Sequence, residues 1–515
     1  MPSTARTLSP YRHFAVTWGL PDDFGGMTAA MLRRSAGFAA AGAPVSVLTF
    51  DDRLDTGAAV AALRGRGVLH PRVAVLHLWD WLGSNPPSAT SGHPIGTFSP
   101  LTTDSDIGPD AGGDIAETVH DGVVRRRERR AAGVVLQVDR YRPDGTLLAS
   151  DLRDVDERGR LGGRAVTLCG PDGTPVRTWP SMWGLYRHWL DRLTDRKRSI
   201  VIVDSKTAAR FVRGYHRKHV ATLHVVHSAH RSGDGEPGRP LKASRRDALS
   251  GTDGFDVVVA LTERQRTDLA ADLPPSVHLA VVPNATAPAR PGRGTVGRGT
   301  VGRGAFVPRD RPADRGVVLA SLTSRKRVAH AVTAAALAGV ALDVYGDGPE
   351  REALERQIAE LGSPVRLLGH RPDASLAFRD ASFSLLTSTS EGAPLVLLEA
   401  MAAGCLPIAY DIRYGPRDVI RDGVDGFVVP PGDTAAMADA IRRLQALPER
   451  SRRRMRRAAR RSTRRYSEAR ITDRWAAVVA QVAARRWPAP KPTPLPTRVR
   501  RKLGRLRRAV RPASD

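Results

Sequence analysis

Across 515 residues the chain carries 80 Lys and Arg against 53 Asp and Glu, a formal net charge of +27, with 41% apolar residues. That is too long for one ordinary core and apolar enough to pack, so two domains with appendages are expected. Cys169 and Cys405 are far apart in dissimilar settings, which excludes a disulfide framework and a cysteine metal site.

Residues Met1 to His13 hold no apolar core of a signal peptide, and no run reaches the roughly 18 apolar residues of a spanning helix. The expected location is cytoplasmic, with peripheral contact to the inner face of the plasma membrane as an option. Arginine dominates the charge, partly as the background of an Ala-, Arg-, Gly- and Pro-rich sequence, but the last stretch holds more than its share. Such asymmetry points to an anionic partner: membrane lipid, a phosphate-rich polymer or nucleic acid.

The opening segment reads as strand, loop and helix: His13–Trp18, then Gly19, Asp22, Asp23, Gly25 and Gly26, then a helical run from Met27 to Ala41. With a second strand at Pro44–Phe50 this is a Rossmann-like βαβ start, where glycines let backbone amides and a helix N-terminus approach an anion. The loop lacks G-x-G-x-x-G spacing, so a plain tight turn is the competing reading. From about residue 80 to 180 short alternating runs, Val134–Tyr141 and Arg164–Cys169, are broken by Asp144-Gly145 and Asp172-Gly173. Asp-Gly between period-two runs predicts hairpins, hence an antiparallel β insertion. Strands resume at Ser199–Asp204, Leu223–His227 and Phe255–Ala260, which places an N-terminal Rossmann-like domain over residues 1–289.

Residues 290–305 form a Gly/Arg repeat that reads as a flexible linker, with RNA binding as the alternative. A second Rossmann-like domain is expected over 306–445. Its strands are Gly316–Ala320, Ala341–Tyr345, Val365–Leu368, Phe383–Thr387 and Leu406–Tyr410, in a parallel sheet covered on both faces by helices. An Arg-studded helical segment spans 446–487, and residues 488–515 are a Pro-rich spacer and a basic tail.

The block Ser390-Glu391-Gly392-Ala393-Pro394-Leu395, continuing through Glu399, carries the most chemistry. It follows a buried strand and opens a helix, with Pro394 suited to the first helical position. Free amides after Pro394 would face a diphosphate above the strand's carboxyl end. Glu391 in the loop and Glu399 about one turn into the helix can grip hydroxyls at both ends of an elongated ligand. A capped core helix with two incidental glutamates is the bland alternative.

The Glu391/Glu399 pair resembles the E-x7-E motif of retaining glycosyltransferases of the GT-B fold, an α/β architecture of two Rossmann-like domains facing a cleft. The resemblance implies that Glu391 contacts the donor sugar and Glu399 the ribose diol. Tyr345-Gly346-Asp347-Gly348, Leu368-Gly369-His370, Val281-Val-Pro-Asn284 and Val424-Asp-Gly-Phe427 match further segments of that family in order. It implies a donor site built from Gly25, Gly26, Arg325, Gly346, His370, Gly392, Ala393, Pro394, Leu395 and Glu399, with Lys326, Glu391 and His227 as catalytic candidates. It also implies a final helical segment returning to the first domain. The family usually carries an Arg where this sequence has Ser321, with Arg325 or Arg327 as substitutes. Taken without the resemblance, basic loop residues are solvated surface and a lone histidine is structural; His224 is expected to pack against a helix.

His227-Ser-Ala-His230, Asp411-Ile-Arg-Tyr414 and Tyr141-Arg-Pro-Asp-Gly145 resemble poly(glycerol-phosphate) α-glucosyltransferases and other teichoic-acid glycosyltransferases. This implies transfer of a hexose or N-acetylhexosamine from a UDP-sugar to an anionic polymer or glycan. It also implies a β insertion that associates subunits, as in a homo-oligomer, or engages the polymer. No cofactor beyond the nucleotide sugar and no metal are expected: Asp104/Asp106 and Asp154/Asp156 lie in the insertion and read as exposed turns. The lack of a carboxylate base in the Glu391–Glu399 segment suits same-face attack, with a diphosphate oxygen taking the proton.

In the tail Val499, Leu503, Leu506 and Val510 would form an apolar stripe among arginines, suited to an anionic membrane surface; a solvated tail is the alternative. A competing class is a nucleic-acid- or polyanion-binding protein on a degenerate glycosyltransferase scaffold. Aromatics are 5% and not interleaved with the basic runs, which argues against nucleic acid. A sugar phosphorylase on the same fold is a third reading.

Overall fold

Strand composition sorts the chain into three sheets in a computed structural model describing residues 7–87, 114–155, 161–233, 235–236, 238–286 and 311–488. The first begins with β1 (Arg12–Val16), β2 (Val45–Thr49) and β3 (Val73–His77). Six strands then intervene: β4 (Asp114–His120), β5 (Val123–Ala131), β6 (Val134–Tyr141), β7 (Leu147–Val155), β8 (Leu161–Cys169) and β9 (Pro175–Trp179). The first sheet is completed by β10 (Ser199–Val203), β11 (Val220–Val225), β12 (Val257–Ala260) and β13 (Leu279–Val281), in the order β13-β12-β11-β10-β1-β2-β3. All its pairings are parallel. Every residue of β10 and β11 is buried, as continuous apolar runs require when helices cover both faces.

The inserted strands pair antiparallel in simple succession, β4 through β9. Asp121-Gly122 and Ala132-Gly133 both adopt positive φ at the β4–β5 and β5–β6 turns, the backbone that tight two-residue hairpins demand. This sheet is fastened to the first domain by Arg140, which grips Asp52 with two bonds of 2.8 Å and lies 4.2 Å over the Trp79 ring. Leu148, Val166, Leu168 and Trp179 share a core with Phe50 and Trp189 of the parallel layer.

The remaining sheet comprises β14 (Arg315–Leu319), β15 (Ala341–Tyr345), β16 (Val365–Leu367), β17 (Phe383–Leu386), β18 (Leu406–Tyr410) and β19 (Phe427–Val429), ordered β16-β15-β14-β17-β18-β19 and parallel throughout. Its own core runs from Val318 and Leu342 to Ile441 and Met455.

Strand ends fall within a few residues of the sequence reading; β3, β13 and β19 were not foreseen, and within the expected insertion β4, β5, β7 and β9 were not singled out. β13 and β19 are three residues each, too short for periodicity to mark them. Pro394 is the N-cap, with extended backbone, and the helix starts at Leu395, one residue later than expected. The Arg-studded segment is two helices, Glu449–Thr463 and Glu468–Arg486, broken at Arg464–Tyr466. The second of these buries Ile471, Trp475, Val479 and Val482 against Met31 and Phe38 of the first domain. The Gly/Arg linker, the tail beyond Pro488, and Asp104, Asp106 and Asp156 lie outside the described residues.

Candidate functional site

Each parallel sheet reverses its winding at one place, between β10 and β1 in the first and between β14 and β17 in the second. Loops leaving the carboxyl ends of such neighbours diverge and open a crevice. In the first sheet those loops carry Gly19–Gly26 and Asp204; in the second they carry Ser321–Arg327 and Thr387–Pro394. The predicted residues therefore cluster because the topology brings their loops together.

The Gly26–Ala40 and Leu395–Ala403 helices start with Gly25 and Pro394 at their N-caps, and neither receives a side-chain capping bond. A Cβ on Gly26 would stand 3.6 Å from Leu395 Cδ1, so the two helix starts abut across the domain boundary. Uncapped amides and the positive ends of two helix dipoles favour an anion there. Further along the same face Arg33 donates to Glu399 Oε1 at 2.6 Å, joining the two domains.

On the other side of Pro394, Lys326 Nζ lies 2.6 Å and Arg325 Nη1 3.0 Å from Glu391 Oε1. Hydrogen bonds hold the two loops together: Thr389 N donates to the Arg325 carbonyl at 2.9 Å and the Thr387 hydroxyl to the Lys326 carbonyl at 2.8 Å. Burial by itself would push the Glu391 carboxyl up, but Lys326 and Arg325 hold it below the ordinary glutamate value. Ser321 is exposed at the start of this loop.

Gly346 sits at φ +145°, where a Cβ would overlap the Ala320 carbonyl, so only glycine lets the end of β15 close on the end of β14. Its N–H donates 2.9 Å to the Gly369 carbonyl, and neighbouring His370 reaches across the cleft to Asp23 at 2.9 Å. Both side chains of that pair are largely exposed.

His227 emerges after β11 with Nε2 2.7 Å from Asp204 Oδ1. Asp204 also receives two bonds from Arg34, 2.9 and 2.6 Å, and its carboxylate is fully buried. Burial would raise its pKa, but Arg34 and then His227 pull it down to about 2. The His227 carbonyl packs against Gly392, Asn284 Nδ2 donates to the Ala393 carbonyl at 3.1 Å, and Lys242 Nζ to Ser390 Oγ at 3.3 Å. His224 stacks on Phe255, with its ring buried, rather than facing the cleft.

Sequence reasoning singled out neither Arg33 nor Arg34 nor Lys242, and treated Asp204 only as a strand end. Arg33 and Arg34 sit in an unremarkable helical run; which of them faces the sheet and which the other domain is set by packing. A second clamp joins the domains where Arg413 makes two bonds to Asp268, 2.9 and 2.8 Å, and Tyr414 a third of 2.6 Å. Among the described residues no cluster of three or more His, Cys, Asp or Glu side chains could hold a metal ion.

Two parallel Rossmann-like sheets whose switch points face each other define the GT-B glycosyltransferase fold, to which this chain adds an antiparallel sheet in the first domain. Within it, residues 314–462 match the family described as Glycosyl transferases group 1, so the chain carries a GT-B group 1 domain. An exopolysaccharide phosphotransferase of Streptomyces coelicolor is 37% identical over 237 residues, which is 44% of this chain and 22% of that protein. A poly(glycerol-phosphate) alpha-glucosyltransferase of Bacillus subtilis is 24% identical over 309 residues, 58% of this chain and 43% of that one. The matched segments thus span less than half of either relative. The crystal structure of TarM superimposes with a TM-score of 0.70 at 18% identity, covering 92% of this chain and 99% of TarM.

Proposed function

We propose that the protein is a retaining, metal-independent glycosyltransferase that moves a hexosyl or N-acetylhexosaminyl group from a UDP-sugar to a polyol-phosphate or related cell-envelope polymer. The observation that carries this reading is the pairing of Glu391 with Lys326 and of Glu399 with Arg33 on either side of an uncapped helix start. Carboxylates at both ends suit the hydroxyls of sugar and ribose, and the amides and cations between them suit the diphosphate. As the bond from the anomeric carbon to the diphosphate oxygen breaks, negative charge grows beside Lys326, where fixed positive charge lowers the barrier most. The acceptor hydroxyl attacks from the same face, and its proton passes to the departing diphosphate.

The inserted sheet, with its Arg-rich strand Val123–Ala131, would associate subunits or engage the polymer. Among the described residues no helix is long and apolar enough to cross a membrane, and peripheral contact through the basic tail belongs to this proposal.

The test is transfer from UDP-glucose or UDP-N-acetylglucosamine, labelled separately in the sugar and in the β-phosphate, to poly(glycerol-phosphate) or poly(ribitol-phosphate). Sugar label alone in the polymer supports the proposal. Phosphate label in the polymer would show phosphotransfer instead. Failure to bind any nucleotide or nucleotide sugar, together with salt-sensitive RNA binding, would favour the degenerate scaffold.

A further inference from the structure

Three cations, Arg325, Lys326 and Lys242, gather on the Ser390–Glu391 side of Pro394. On the Glu399 side stands Arg33, contributed by the opposite domain. Its neighbour Arg34 is turned inward, 5% exposed, and committed by two bonds to Asp204, whereas Arg33 and Glu399 are 21% and 22% exposed and line the cleft. Arg33 uses Nη2 on Glu399, and Nη1 makes only a long 3.4 Å bond to the Ala285 carbonyl. A guanidinium has five N–H donors in a rigid fork, so one placed like this can hold a carboxylate and still present donors to a phosphate oxygen.

One further feature sets Arg33 near the paired helix starts. It lies on the face of the helix whose first residue, Gly26, abuts Leu395, so it flanks the joined pair of helix starts.

We propose that Arg33 is a donor-binding residue supplied by the N-terminal domain, its guanidinium shared between Glu399 and the diphosphate of the bound nucleotide. It thereby adds, from the facing domain, a cation to those that the Ser321–Arg327 loop supplies. The inference rests on the donor-site reading above.

Binding of uridine, UMP and UDP to the full chain, measured by calorimetry for wild type, Arg33→Gln and Arg33→Lys, tests this. Arg33→Gln keeps much of the side chain's packing, and an unchanged thermal midpoint certifies its fold. The expected result is a loss of UDP affinity of tenfold or more in Arg33→Gln, a smaller loss for UMP, none for uridine, and partial recovery in Arg33→Lys. An equal loss for uridine and UDP would mean that Arg33 only orients Glu399 toward the ribose, and the proposal would be overturned. It would be overturned as well by unchanged UDP affinity. Wild-type protein that binds none of the three would instead overturn the donor-site reading itself.

Discussion

The carbonyl oxygen of His227 occupies the space that a Cβ on Gly392 would need, so the loop before the Leu395–Ala403 helix touches the first domain backbone to backbone. Only a residue without a side chain permits that approach. Gly392→Ala should therefore hold the domains apart by a fraction of an ångström to an ångström where sugar and acceptor would meet. A misplacement of that size costs on the order of 100-fold in rate. Steady-state transfer should show this drop in kcat/KM with an unchanged unfolding midpoint, since each domain keeps its own core. Wild-type turnover would mean that the closed contact plays no part in catalysis.

Lys326→Ala should act mainly on turnover. The ammonium lies where leaving-group charge would develop, and losing one such fixed donor costs about 100- to 1000-fold in kcat. The same change removes the strongest attraction that keeps Glu391 ionised, so the acidic limb of the rate profile should move to higher pH. Glu399→Ala should instead weaken donor binding. If single-turnover and binding measurements found both variants equal to wild type, the assignment of this cleft as the donor site would be wrong.

Asp204 lets acid stability be dissected. Its folded pKa of about 2 lies below the value of 3.8 that it would have when unfolded. A depressed carboxylate stabilises the fold above the unfolded value, and that contribution disappears as pH falls from about 4 to about 2. The shift corresponds to on the order of 2 kcal/mol. Asp204→Asn leaves Arg34 buried without its counter-ion and should lose about 3 to 5 kcal/mol at neutral pH, with a flatter acid limb in denaturant titrations. It also releases the His227 ring, so a transfer defect should persist at temperatures where the variant is folded. A variant as stable as wild type at pH 7 would exclude the network as a structural element.

How much was legible beforehand varies by element. Strands such as β6, β15 and β18 were readable to the residue because their apolar runs are bounded by turn residues, whereas β13 and β19 are too brief to show a period. The Asp-Gly hairpin signals announced the insertion for a local reason: positive φ must be supplied at the turn itself. Glu391, Lys326 and Gly346 were singled out by their resemblance to motif positions of the glycosyltransferase family, and each lies in a loop that follows a strand at the sheet's carboxyl edge.

What the sequence by itself determined is thus the set of parts: two α/β sheets, an antiparallel insertion, and loops rich in glycine, carboxylate and cation. Local backbone preference and hydrophobic periodicity are encoded within a few residues of each position. The partnerships were decided by the tertiary structure. Arg33 against Glu399, Arg34 against Asp204 and His227, and Gly392 under the His227 carbonyl all join residues far apart in the chain. Which of two adjacent arginines enters the core and which crosses to the other domain follows from how one helix rotates on its sheet. That rotation is set by the packing of Met31 and Phe38 against the returning helix with Trp475, and no short stretch of sequence contains it.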